Sequence, residues 1–130
     1  FSPDQQTKVG AVLMKKDSGA IIAQSYNGFI RGAPDLLLPK TRPEKYQYMI
    51  HSEMNLILNC ARHGISMQDC FVVVTHTPCA DCSRFLFQAG IDTVVAEKHY
   101  HLCDNIGLDD LRITAKPLKD TGYTILKYNP

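Results

Sequence analysis

The sequence predicts a single α/β layer domain spanning residues 1–130, and three observations carry that reading. Apolar runs of strand length recur along the chain, two helical patterns lie between them, and the resulting order begins β-β-α-β-α-β. At 130 residues the chain is long enough for one domain with a real core and short for two.

The elements follow in order. "KVGAVLM" (8–14) and "AIIAQSY" (20–26) flank the turn-like "KKDSG" and read as a β-hairpin. A polar stretch dotted with proline runs from Asn27 to about Gln47, and loops of that length in compact domains are more often functional than idle. Residues 51–63 read as a helix with Met54, Ile57, Cys60 and Ala61 on its apolar stripe and Gly64 as its stop. "CFVVVTH" (70–76) is a buried strand by its valines, and a second helix is predicted over Ala80–Gln88, ended by Gly90. "DTVVAE" (92–97) is a strand, a short helix is expected near 107–115, and "GYTILKY" (122–128) alternates like an edge or half-buried strand.

Composition narrows the class. The 45% hydrophobic and 21% charged residues are those of a soluble globular protein. No apolar run approaches membrane-spanning length and no cleavable leader is visible, so no membrane partner and a cytoplasmic location are expected. The chain starts at Phe1 without a methionine, and a trimmed start is the expectation. A formal net charge of +1 with no long basic run gives little support to binding nucleic acid through its phosphates. Five cysteines are an odd count, too sparse for a small disulfide scaffold, which points to free or metal-binding thiols.

Pro78-Cys79-Ala80-Asp81-Cys82 sets two thiols three residues apart at a strand-to-helix junction. Positions i and i+3 share one side of a helix, and the positive end of the helix dipole favours thiolate. Alone, such a pair is compatible with redox chemistry, with half of a structural zinc site, or with two buried thiols. Cys60, Cys70 and Cys103 supply no second C-x-x-C pair. The stretch "HSEMNL" adds His51 and Glu53 at the start of the other helix, and a layered fold can bring the two helix starts to one sheet edge. Two thiolates and an imidazole make three ligands with one tetrahedral position open, the arrangement of catalytic zinc. Glu53 is then placed to act on water without binding metal. Taken singly, His51 reads as a helix cap and Glu53 as a solvated first-turn carboxylate. The remaining histidines, His63, His76, His99 and His101, are not expected to be ligands, and Cys60 and Cys70 are expected in the core.

H-x-E followed by P-C-x-x-C is the signature of zinc-dependent nucleobase deaminases. "HSEMNLIL" and "HTPCADC" resemble the two metal blocks of the cytidine and deoxycytidylate deaminase superfamily, and "TKVGAV", "SYNG" and "QAGIDTVV" resemble its flanking blocks in the same order. Ser52 departs from the usual alanine, and the helix that precedes "TKVGAV" in the family has no counterpart. The resemblance implies a three-layer α-β-α fold around a five-stranded mixed sheet. It also implies Zn2+ held by His51, Cys79 and Cys82, with Glu53 as the acid/base that moves protons during hydrolytic loss of ammonia.

Within the superfamily, the long insertion between "YNG" and H-x-E, the "LP" inside it, and the run "YQYMIHSEMN" resemble the deoxycytidylate branch. That implies dCMP as substrate and dUMP as product. It also implies sugar contact by Asn27, a Thr77 carbonyl facing the amino group, Tyr100 near the base, and assembly as a homo-oligomer, a dimer or hexamer. Lys8, Arg31, Lys40 and Arg42 are candidate phosphate contacts. Two other readings stand beside this one: a deaminase of cytidine, deoxycytidine or another small nucleobase compound, and a zinc-stabilised binding module with no need of Glu53.

Overall fold

Six strands pair into one mixed sheet: β1 Gly10–Lys15, β2 Ile21–Tyr26, β3 Cys70–Val74, β4 Thr93–Glu97, β5 Ile113–Leu118 and β6 Tyr123–Tyr128. Two helices, α1 Ser52–His63 and α2 Ala80–Gln88, complete the described elements. The computed structural model describes residues 10–34, 37, 38, 40, 44, 49–97 and 111–130. The spatial order is β2-β1-β3-β4-β6-β5. β3 and β4 are parallel, and the other four pairs are antiparallel.

Alternation along the strands decides what is buried. Leu13 faces Val72, Val72 faces Val94, and Val94 faces Leu126, so one row of fully buried side chains crosses four strands. Ala11, Val74 and Ala96 form the next row on the same face. Leu56 and Cys60 from α1 and Leu86 and Phe87 from α2 complete this core, so both helices pack on one side of the sheet. Phe87 also stacks on Tyr128 of β6, ring centroids 5.5 Å apart. Cys60 and Cys70 are core residues as expected, and burial raises the Cys60 thiol pKa.

The turn chemistry matches the predicted boundaries. Gly19, at φ 72°, lets the 16–20 turn return the chain, and the Lys15 N–H donates to the Ala20 carbonyl. Gly64, at φ 67°, ends α1.

Three expectations need correction. The sheet has six strands, not five, because β5 pairs along the outer side of β6. The helix expected near 107–115 is contradicted at its second half, since Ile113–Ala115 lie in β5; residues 107–110 fall outside the described ones. Arg112 sits at φ 58°, which interrupts any helical run, and Pro117 is tolerated because β5 pairs on one side only. The buried face of α1 is Ser52, Glu53, Leu56 and Cys60, and Ala61 is exposed. Two polar residues occupy its first turn, so the apolar period starts a turn late. The two described helices share one side, and a helical layer on the other has no counterpart among the described residues.

Gly28 and Ile50 form an isolated antiparallel bridge, with Gly28 N–H donating to the Ile50 carbonyl at 2.9 Å and Ile50 N–H returning at 2.5 Å. The bridge closes the insertion at its base and sets Asn27 beside the start of α1. Among the described residues no helix is long and apolar enough to cross a membrane.

Leu13 is fully buried between β1 neighbours and the helices, so Leu13→Ala removes contacts that cannot be rebuilt. It is expected to lower unfolding free energy by about 2–5 kcal/mol, read as a lower denaturant midpoint at unchanged slope.

Candidate active site

β2 and β3 both run antiparallel to β1, which lies between them, so their carboxyl ends reach the same sheet edge. α1 starts after the loop that leaves β2, and α2 starts after a five-residue connection from β3. Each helix is capped at that edge by a proposed ligand: His51 is the residue before α1 and Cys79 the residue before α2. Cys79 has extended backbone, and its sulfur accepts the Cys82 N–H at 3.5 Å, a cap bond that only an early helix amide provides. His51 makes no capping bond through its side chain, which leaves the imidazole to the thiols.

His51 Nδ1 lies 3.5 Å from Cys79 Sγ and 3.5 Å from Cys82 Sγ, and the three ligand atoms all fall within 4.8 Å of one another. Zinc bonds of about 2.0–2.1 Å to nitrogen and about 2.3 Å to sulfur at tetrahedral angles require nitrogen–sulfur edges of roughly 3.5 Å. Donor set and spacing both fit zinc. Exposure falls from His51, which is open to solvent, through half-buried Cys79 to buried Cys82.

The titration of these groups reflects their crowding. The Cys82 thiol donates to Cys79 and, aided by His51 and against burial, brings the Cys79 pKa down to about 4. Cys82, holding that proton in a buried place beside Glu53, has its pKa pushed well above the ordinary thiol range. The hydrogen bond with Cys79 raises His51, against the effect of burial. Two thiols and an imidazole thus crowd a site whose geometry suits two thiolates around a cation.

Glu53 is buried in the first turn of α1, and the Ser52 hydroxyl donates to its Oε1 at 2.5 Å. Ser25 of β2 in turn donates to the Ser52 carbonyl at 2.6 Å. Asn55 fastens the same turn to the end of β2 by donating to the Tyr26 carbonyl at 2.9 Å. Sequence reasoning assigned no role to Ser25 or to the Asn55 side chain. Their partners lie 27 and 29 residues away, and the one available signal was a small polar residue where α1 should bury an apolar one.

Of the other predicted contacts, Asn27 is buried in a cavity of about 330 Å³ whose walls include Tyr26, Arg31, Asn55 and Asn59. The metal ligands are not in that lining. Thr77 is buried, its hydroxyl 3.5 Å from the Glu97 carbonyl. Tyr100, Lys8 and Arg42 lie outside the described residues. Arg31 donates to Asn59 Oδ1 at 2.8 Å, and Lys40 donates to the Leu38 carbonyl at 3.3 Å beneath the Phe29 ring. His76 is not in the ligand group.

Residues 1–98 match the family described as the cytidine and deoxycytidylate deaminase zinc-binding region. A deoxycytidylate deaminase of Mus musculus is 32% identical, the match covering 99% of this chain and 72% of that protein. A probable deoxycytidylate deaminase of Caenorhabditis elegans is 38% identical over 72% of this chain, which spans 48% of the nematode protein. Among solved structures, the dCMP deaminase of cyanophage S-TIM5 in complex with dCMP and dUMP superposes with a TM-score of 0.63 at 30% identity, covering 83% of this chain and 76% of that one.

Elemental analysis of the purified protein is expected to find about one zinc per chain. His51→Ala and Cys79→Ala are each expected to lose it and to melt at lower temperature, because metal binding adds to folding. Zinc should also be released as pH falls, since protons compete for the same sulfurs and nitrogen. Full zinc retention in both variants removes the assignment.

Proposed function

The chain belongs to the cytidine and deoxycytidylate deaminase family, and from that membership we propose that it hydrolyses dCMP to dUMP and ammonia. The observation that carries the reading is a buried carboxylate, Glu53, two residues after His51, which forms with Cys79 and Cys82 a triangle of zinc dimensions. Similarity to relatives named deoxycytidylate deaminase, and to a structure with dCMP and dUMP bound, supports the choice of nucleotide.

His51, Cys79 and Cys82 would hold the metal. Zinc, when bound, lowers the pKa of a water from near 16 to about 7 and so supplies a nucleophile at neutral pH. Glu53 would take one proton from the attacking water and deliver it to N3 of cytosine, so that the water oxygen adds to the activated C4. The same carboxylate would then carry the second proton from that oxygen to the amine, the C4–N bond breaking as the C4 carbonyl forms and ammonia leaves. A buried position keeps Glu53 from competing solvent, and a separate residue for each proton step is not needed. Asn27 is assigned to the sugar, the Thr77 carbonyl to the exocyclic amine and Tyr100 to the base. The domain is read as a single catalytic unit across residues 1–130, acting in the cytoplasm as a homo-oligomer.

A phosphate brings close to two negative charges and strong acceptor oxygens, so one charged donor suffices to separate nucleotide from nucleoside. Arg31 and Lys40, both on the insertion, are the described candidates for that donor.

Glu53→Gln is expected to keep zinc and bind dCMP while losing orders of magnitude in turnover, measured by ammonia release. Near-normal turnover in that variant removes Glu53 from the mechanism. For the unaltered protein, kcat/KM for dCMP should exceed that for deoxycytidine by about a hundredfold or more, some 2.7 kcal/mol. Equal values would move the enzyme to the nucleoside deaminases.

A further inference from the structure

We propose that Ser52 is a positioning residue that sets the orientation of the Glu53 carboxylate. The inference rests on the proposed role of Glu53 as the proton carrier. Adjacent side chains on a helix point about 100° apart and do not ordinarily meet. Here the Ser52 hydroxyl nevertheless donates to Glu53 Oε1 at 2.5 Å, the short end of the range for hydroxyl hydrogen bonds. Ser52 has no exposed surface, so water does not compete for that hydroxyl.

The serine is itself anchored. Ser25 on β2, also buried, donates to the Ser52 carbonyl at 2.6 Å. A continuous path therefore runs from the sheet through Ser25 and Ser52 to the carboxylate. The last torsion of a glutamate is broad, because rotation about it has no sharp staggered minima. A bond to one oxygen selects one setting of the carboxylate plane. Proton transfer is sensitive to such settings at the level of fractions of an ångström.

The block that "HSEMNLIL" resembles carries alanine or serine at this position, alanine being usual, so the hydroxyl is expected to tune the rate without enabling it. Ser52→Ala removes one oxygen from a packed site and leaves all three metal ligands in place. It is expected to lower kcat for dCMP about tenfold, one hydrogen bond to a charged group, with KM changed by less than about twofold. Zinc content and melting temperature should stay at their original values. A hydroxyl with a structural role alone would shift melting or zinc content and leave kcat per bound zinc unchanged.

Glu53→Gln measured alongside separates the two readings. An unchanged kcat in Ser52→Ala with an inactive Glu53→Gln overturns the positioning role and leaves the acid/base assignment standing. An active Glu53→Gln overturns both. A lowered kcat at constant KM and zinc content in Ser52→Ala, with Glu53→Gln inactive, supports the path from Ser25 to the carboxylate.

Discussion

The structure depends on one geometric constraint: β2 and β3 point the same way with β1 between them. Both connections then leave the sheet at the same edge. Crossovers between parallel strands are right-handed almost without exception, so α1 and α2 return over the same face. Both helices join one buried core, and that core holds their starts close together. A histidine capping one helix and a cysteine capping the other can therefore approach within 3.5 Å, although 28 residues separate them. A reversal of either connection would put the imidazole and the thiols on opposite faces.

The same convergence gathers negative charge. Two thiolates and the Glu53 carboxylate would carry three negative charges against one imidazole, in a site where Cys82 and Glu53 are buried. Helix starts offset part of this through their partial positive charge, and the Cys82 N–H is already turned to Cys79. The hydrogen bond between the two thiols splits them, one pKa falling to about 4 and the other rising. A divalent cation resolves the conflict, which is why this donor set suits zinc better than a disulfide or a redox dithiol.

Much of this was legible in the sequence, and the reason is local. Helix caps, glycine stops and valine runs are short-range signals, so β1 to β4, both helices and the ligands His51, Cys79 and Cys82 could be placed from residue type and spacing. Strand β5 was not legible. "ITAKPL" has a lone buried residue, Ile113, and its identity as a strand comes from pairing with β6. The buried face of α1 was displaced for a related reason, since the buried polar residues Ser52 and Glu53 break the apolar period that normally reveals such a face. Ser25 was invisible because a serine on an edge strand announces nothing until its partner across the fold is known.

The insertion between β2 and α1 poses a problem that its base resolves. A chain of twenty-odd residues leading directly into a metal ligand would pass its own motion to His51. The Gly28–Ile50 bridge fixes both ends against each other, with Asn27 immediately before it and His51 immediately after. Closing a loop of this size costs little more than closing one half as long, roughly 0.6 kcal/mol per doubling. Length inside the bridge is therefore nearly free of consequence for the metal site. Residues such as Arg31 and Lys40, the candidate phosphate contacts, can change within it while Asn27, His51 and Glu53 keep their places, anchored by Asn55 and Ser25 to the end of β2. The candidate selectivity residues and the proposed catalytic ones thus lie on adjoining but mechanically separate parts of the same connection.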